Sequence, residues 1–342
     1  MPTSTMVDML TPIWQRVLQL SSVDVEDNFF DLGGDSSLAL QLFNEITLAG
    51  GQELPPVTIY IAPTISALAA VLEQPADLRF PPLVLLKDGS EEPPLFITHG
   101  LGGSVIDFFQ VVKHIQTAHP IQGMQAKGVD GTEEPFDRIE DMAQFYLNAI
   151  RQVQPHGPYL LAGYSLGGLV VFEMAQKLTA AGEKVALLAM LDSYPDIRYL
   201  SLAQRIRLVT RLATRRAATA MKLPVGEALY LILRPSRRRS LAPRVSYQPP
   251  ADVPISPAMQ RSRERAYAAL TRYKPRFYGG KIRFVRAAIP TDFPADPAAV
   301  WAHLASEFEV ETVPGDHLGI MSIHYEKLAS AISRYVQEAL RC

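Results

Sequence analysis

Of 342 residues only one is cysteine, Cys342. No disulfide can close within the chain and no zinc–thiolate cluster can be built, so a reducing compartment is expected. The chain has no apolar run of the roughly 18 residues a membrane-spanning helix needs. Residues 1–20 lack the basic start and unbroken apolar stretch of a signal peptide, and a cytoplasmic location is expected. Positive charge is almost missing from residues 1–78, where Arg16 stands against ten acids. The net charge of −2 hides the opposite bias in residues 195–276, which hold eighteen Arg or Lys and four acids. Such segregation lets the two regions attract at short range, or leaves both as solvated surfaces. No nucleic-acid partner is expected.

At this length two domains are expected. Residues 6–20 carry Leu10, Ile13, Val17, Leu18 and Leu20 at roughly helical spacing, with Pro12 near the start. A polar and aromatic loop follows, Gly33 and Gly34 make a tight turn, and a second helix begins near Ser36 with Leu38, Leu42 and Ile46 on one face. Gly50 and Gly51 stop it, and a third helix begins near Thr64. Proline density in residues 74–94 marks a boundary, which gives a helical unit over 1–76 and a second domain over 77–342.

In the second domain short apolar runs alternate with amphipathic stretches. Strands are expected at Leu83–Leu86, Leu95–Thr98, Ile121–Gln125, Tyr159–Ala162, Val185–Leu191, Lys281–Arg286 and Phe308–Val313. Helices are expected at Val105–Gln116, Asp141–Gln154, Gly167–Ala181 and Tyr325–Ala339. This alternation predicts an α/β fold on a mostly parallel sheet. Residues 195–276 interrupt it with Arg-rich helical sequence and read as an inserted lid. In Ser201–Ala218 the apolar Leu202, Ile206, Val209 and Leu212 oppose Arg205, Arg211, Arg215 and Arg216. The apolar face of such a helix is expected to cover a cleft, the alternative being a membrane surface.

Gly163, Ser165 and Gly167 form Gly-x-Ser-x-Gly between an apolar run and a helix. A turn this sharp lifts a serine hydroxyl clear of the sheet at a helix N-terminus, where developing negative charge is favoured. Serine needs a base and an orienting acid to act as a nucleophile. His317, between the last strand and the last helix, stands where a Ser…Asp…His order in an α/β-hydrolase puts its base. Asp192 ends the strand after the nucleophile's helix and is the expected acid, with Asp316 as its rival. His99 opens a glycine-rich loop, His99-Gly100-Leu101-Gly102-Gly103, that resembles oxyanion loops, so the backbone N–H groups of Leu101 and Leu166 are the expected donors. The remaining histidines, His114, His119, His156, His303 and His324, are expected at the surface.

Ser36 has no histidine nearby in sequence and sits on the acidic helical unit, exposed for modification by another enzyme, or serving as a helix N-cap. The run Asn28-Phe29-Phe30-Asp31-Leu32-Gly33-Gly34-Asp35-Ser36 resembles the carrier-domain motif of nonribosomal peptide synthetases. That resemblance implies 4′-phosphopantetheine on Ser36, attached by a phosphopantetheinyl transferase. Ser37 stands where the family usually has leucine, and is the second candidate hydroxyl.

The rest of the chain resembles the type I thioesterase domain that ends such synthetases, through Gly163–Gly168, Asp192, Gly315-Asp316-His317 and the Tyr273-Lys274-Pro275 return from the lid. The resemblance implies a small helical carrier bundle followed by an α/β-hydrolase domain with a helical lid insertion. It also implies release of an acyl or peptidyl thioester through Ser165, by hydrolysis or cyclisation. Upstream adenylation, condensation or ligase enzymes would load the carrier. No such domain precedes the carrier, so a stand-alone pair or a fragment of a longer enzyme is expected. Two other readings are a carrier and docking module with an inactive hydrolase domain, and a carboxylesterase or lipase.

Overall fold

A computed structural model describes residues 4–52, 54–73, 80–221, 257–290, 293, 294 and 296–341. The middle of the expected lid, residues 222–256, lies outside the described residues.

The first unit is a bundle of α1 (Ser4–Leu18), α2 (Ser36–Leu48), α3 (Thr58–Ile61) and α4 (Ile65–Glu73). Its core takes Leu10, Ile13, Trp14 and Val17 from α1, Leu42, Phe43 and Ile46 from α2, and Ile65, Leu68 and Leu72 from α4. The loop before α2 is tied in by Phe29, fully buried with its ring edge-on to Trp14 at 5.3 Å. Burial of such a ring contributes about 1.5–3 kcal/mol. It also explains the glycine pair: Gly33 has φ +94°, and a Cβ on Gly34 would lie 2.3 Å from the Phe29 ring. The N-cap of α2 is Asp35, whose carboxylate accepts the N–H groups of Ser37 and Leu38, each at 2.9 Å. Capping therefore makes no demand on residue 36. The short α3 was not expected, since four residues behind Pro55 and Pro56 are too few to show a period.

The second unit is a seven-stranded sheet: β1 (Leu83–Lys87), β2 (Leu95–Thr98), β3 (Ile121–Met124), β4 (Tyr159–Tyr164), β5 (Val185–Leu191), β6 (Tyr278–Ala287) and β7 (Ala305–Val313), in the order β1-β3-β2-β4-β5-β6-β7. Only β1 runs antiparallel, against β3. Between the strands come α5 (Phe109–His114), α6 (Ile139–Val153), α7 (Leu166–Ala180), α8 (Leu202–Ala220), α9 (Pro257–Arg272) and α10 (Ala298–Trp301), and after β7 come α11 (Gly319–Ser322) and α12 (Tyr325–Leu340). One face of the sheet is covered by α6 and α7, with Tyr146, Ile150, Leu169 and Phe172 in its core. The other is covered by α5 and α12, through Val111, Val112, Leu328 and Ile332. All the crossover strands are parallel, so their carboxyl ends share one edge, where ligands bind in open sheets.

Two expectations are corrected. His119 is buried, 9% exposed, because Ala118-His119-Pro120 tucks beneath the loop at 88–91, where Ser90 N–H donates to Ala118 O at 2.8 Å. On α8 the apolar Leu202, Ile206 and Val209 face outward, 71%, 58% and 46% exposed, and among the described side chains the buried one is Leu208. Arg205, itself exposed, donates to the carbonyls of Leu200 and Arg198 just before the helix, and the half-buried Arg211 donates to that of Pro290.

Candidate active site

β4 and β5 are neighbours with Tyr164 opposite Leu191. The ladder runs one residue beyond the strands: Ser165 N–H donates to Leu191 O at 2.9 Å, and Asp192 N–H to Val285 O at 2.7 Å. Ser165 and Asp192 are thereby held at the same sheet edge. Both leave the strand with positive φ, 55° and 45°, a strained state for a non-glycine residue that its surroundings must enforce. The glycines around Ser165 are required by close approach. A Cβ on Gly163 would lie 2.3 Å from Gly167 O, and one on Gly167 would lie 2.4 Å from His99 O.

His317 comes from the loop after β7, and the structure brings it between the other two. Its Nδ1 lies 2.8 Å from Asp192 Oδ2 and its Nε2 lies 3.1 Å from Ser165 Oγ. A carboxylate only accepts, so Nδ1 carries the proton and Nε2 accepts from the serine hydroxyl. The other Asp192 oxygen accepts the N–H of Ala287 at 3.1 Å, which fixes the carboxylate plane. Ser165, Asp192 and His317 are 7%, 4% and 3% exposed, so this hydrogen-bonded chain is largely shielded from water. Asp316 points elsewhere and accepts the N–H of Gly319 at 2.8 Å.

Aromatic rings close on the imidazole from two sides. Tyr164 stacks on it at 4.8 Å and 22°, and Phe293 lies at 4.9 Å. The Tyr164 hydroxyl donates to His317 O at 2.7 Å. Burial, then the nearby Asp192, Asp107 and Asp316 carboxylates, hold the Tyr164 phenol well above its usual range, so it stays protonated as a donor. The sequence motif named Tyr164 only as a variable position, and its grip on the histidine had no sequence signal.

Beside Ser165 is a cavity of about 20 Å³ lined by Leu101, Leu166, Tyr194, Pro195, Leu270 and Phe293, room for about one water. Leu166, as the first residue of α7, has an N–H with no intrahelical acceptor. Leu101 lies on the loop after β2, and His99 braces that loop: its Nδ1–H donates to Gly100 O at 2.6 Å while Nε2 accepts from the Tyr146 hydroxyl at 2.7 Å. Burial lowers the His99 pKa to about 4, so the ring is neutral. Ser36 opens α2 in the other unit. A turn ending in an aspartate cap, with residue 36 not needed to cap the helix, fits attachment of a group there.

The chain matches two families: phosphopantetheine attachment site over residues 9–72, and thioesterase domain over residues 93–213. A dimodular nonribosomal peptide synthase of Bacillus subtilis (strain 168) is 42% identical over 196 residues, which are 57% of this chain and 8% of that protein. The chain thus spans only a small part of the curated relatives it matches. Among solved structures, a four-domain nonribosomal peptide synthetase in its holo form, bound to AMP and glycine, aligns with 98% of this chain and 26% of its own, at a TM-score of 0.59 and 23% identity. The Vlm2 thioesterase domain, bound with a dodecadepsipeptide, aligns with 74% of this chain and 97% of its own, at a TM-score of 0.51 and 22% identity. At these identities the structural likeness is one of fold.

Proposed function

On a chain in which a phosphopantetheine-attachment domain is followed by a thioesterase domain, an arrangement of the nonribosomal peptide synthetase type, we propose that an acyl or peptidyl thioester tethered at Ser36 is released through Ser165. The observation that carries this reading is the buried hydrogen-bonded chain from Ser165 through His317 to Asp192. We take residues 1–76 as the carrier, 77–342 as the hydrolase domain and 195–276 as its lid.

The 4′-phosphopantetheine arm supplies the thiol on which the acyl group is held as a thioester. Ser165 Oγ adds to the thioester carbonyl while His317 Nε2 takes its proton. The carbon–sulfur bond then breaks, His317 returns the proton to the departing sulfur, and the acyl group is left as an ester on Ser165. Water, or an amine or hydroxyl of the acyl group itself, attacks that ester with His317 again as base, giving a free acid or a ring. Asp192 keeps the proton on Nδ1 and stabilises the imidazolium that forms. The N–H groups of Leu101 and Leu166 stabilise the oxyanion, an effect on the order of 10²–10³ in rate per donor.

A phosphopantetheinyl transferase and upstream adenylation, condensation or ligase enzymes are the partners this chemistry needs. Among the described residues no helix is long and apolar enough to cross a membrane, and we place the reaction in the cytoplasm. Intact-mass measurement after treatment with a phosphopantetheinyl transferase and coenzyme A tests the attachment: one addition is expected, absent in Ser36→Ala. Addition to that variant would move the site to Ser37. Preference for oxygen esters over the carrier-bound thioester would favour a carboxylesterase instead.

A further inference from the structure

The segment after Asp192 carries a second buried carboxylate that the proposed chemistry does not use. Residues Asp192 to Ile197 are all buried. Trp301 Nε1–H donates to Ser193 O at 3.0 Å, and the Tyr194 ring stacks on that of Phe293 at 5.0 Å and 15°. Asp196, 4% exposed, sits within this anchored segment. It lines the cavity of about 20 Å³ that Ser165 also lines, and among the described residues it is the one charged member of a mostly apolar wall.

The bonds that Asp196 makes within the protein fall on one of its two oxygens. Oδ1 accepts the backbone N–H of Arg198 and the Nε–H of the same residue, each at 2.9 Å. Among the described residues nothing donates to Oδ2, and this oxygen is not walled in, since it keeps some accessible surface. Leaving half of a buried carboxylate unpaired among apolar neighbours is costly. Arg198 offsets only part of its charge, because that guanidinium is mostly exposed and shared with water.

A positively charged donor inside the cavity would complete the pairing. In the proposed chemistry the group that enters this cavity is the acyl chain, ester-bonded to Ser165. Room for about one water keeps the span short, so the donor is a nitrogen on the first or second carbon from the ester carbonyl.

We propose that Asp196 Oδ2 binds the ammonium group of an aminoacyl chain held on Ser165, so that the site selects acyl groups with a free amine close to the carbonyl over plain acyl groups. This rests on the reading of Ser165 as the nucleophile.

The test uses the full chain and two soluble pantetheine thioesters of nearly equal shape, 3-aminopropanoyl and butanoyl. The wild type should favour the amine in kcat/KM, and Asp196→Asn, which keeps an oxygen for Arg198, should shrink that ratio about tenfold. Intrinsic reactivity of the two thioesters cancels when ratios are compared. Arg198→Ala removes the protein partner and leaves the carboxylate, so it should keep the wild-type ratio. A capping or ion-pair role alone would lower both substrates together in both variants. A wild type without preference for the amine, a ratio that Asp196→Asn leaves unchanged, or one lost as fully in Arg198→Ala would overturn the proposal. A wild type that turns over neither thioester through Ser165 would instead sink the release reading. Calorimetric binding of the amide analogues, with nitrogen in place of sulfur, would still decide the contact: the amine analogue should bind the wild type more tightly than Asp196→Asn, and equal affinities would overturn it.

Discussion

Tyr164 holds His317 twice, by a hydroxyl that donates to its carbonyl at 2.7 Å and by a ring stacked on its imidazole. The residue before the nucleophile thus positions the residue that accepts the nucleophile's proton. Tyr164→Phe keeps the stack and leaves the His317 carbonyl unpaired. A net hydrogen bond is worth about 1 kcal/mol, so kcat should fall about fivefold with KM little changed. Tyr164→Leu, which also removes the stack, should cost more. Steady-state kinetics on a soluble acyl thioester checks both.

Asp192 accepts from His317 and from Ala287 N–H. Asp192→Asn offers the same shape but no charge, and its amide can reverse the imidazole tautomer. A loss of kcat on the order of 10³–10⁴ is expected, with the fold retained by circular dichroism. Asp316→Asn should cost far less, because the Asp316 carboxylate accepts from Gly319 N–H and not from His317.

Much of this site was legible because its parts announce themselves locally. The β4 run and the Gly-x-Ser-x-Gly turn fix Ser165, and the β5 run fixes the level of Asp192. The strand ends were less legible. β6 starts at Tyr278, three residues before the expected Lys281, because Gly279 and Gly280 carry no apolar pattern. Contacts between units left no trace in periodicity. Phe30 reads as a motif residue, and only the structure gives it Phe109 as a partner. The carbonyl partners of Arg205 and Arg211 were illegible for the same reason, since acceptors such as Pro290 O have no sequence signature.

His99 makes stability depend on acid. Burial lowers its folded pKa to about 4, from the ordinary imidazole value of about 6.5. The unfolded chain therefore binds a proton that the folded chain refuses. This contribution is complete above pH 6.5 and is lost as pH falls towards 4, to a total of about 3 kcal/mol. Urea unfolding at pH 7 and pH 5 should show the loss begin, and His99→Gln should flatten that limb.

Glu173 of α7 is buried and accepts from the Tyr273 hydroxyl at 3.0 Å and from Arg276 at 3.3 Å, joining the nucleophile's helix to the return from α9. Arg276 is mostly exposed and can turn to water. The Tyr273 hydroxyl cannot, so Glu173→Ala should cost about 1–3 kcal/mol. Chemical denaturation reads it directly, and Glu173→Gln, which still accepts from Tyr273, should recover part of the loss.

The central claim is that the acyl group passes covalently from the carrier to Ser165. A single turnover with an isotopically labelled acyl group on the loaded chain, quenched in acid and mapped by peptide mass spectrometry, tests it most directly. The label should leave the peptide containing Ser36 and appear on the peptide containing Ser165 before free product, and in Ser165→Ala it should stay on Ser36. Product release by Ser165→Ala at the wild-type rate, with no label ever on residue 165 in the wild type, would contradict the account.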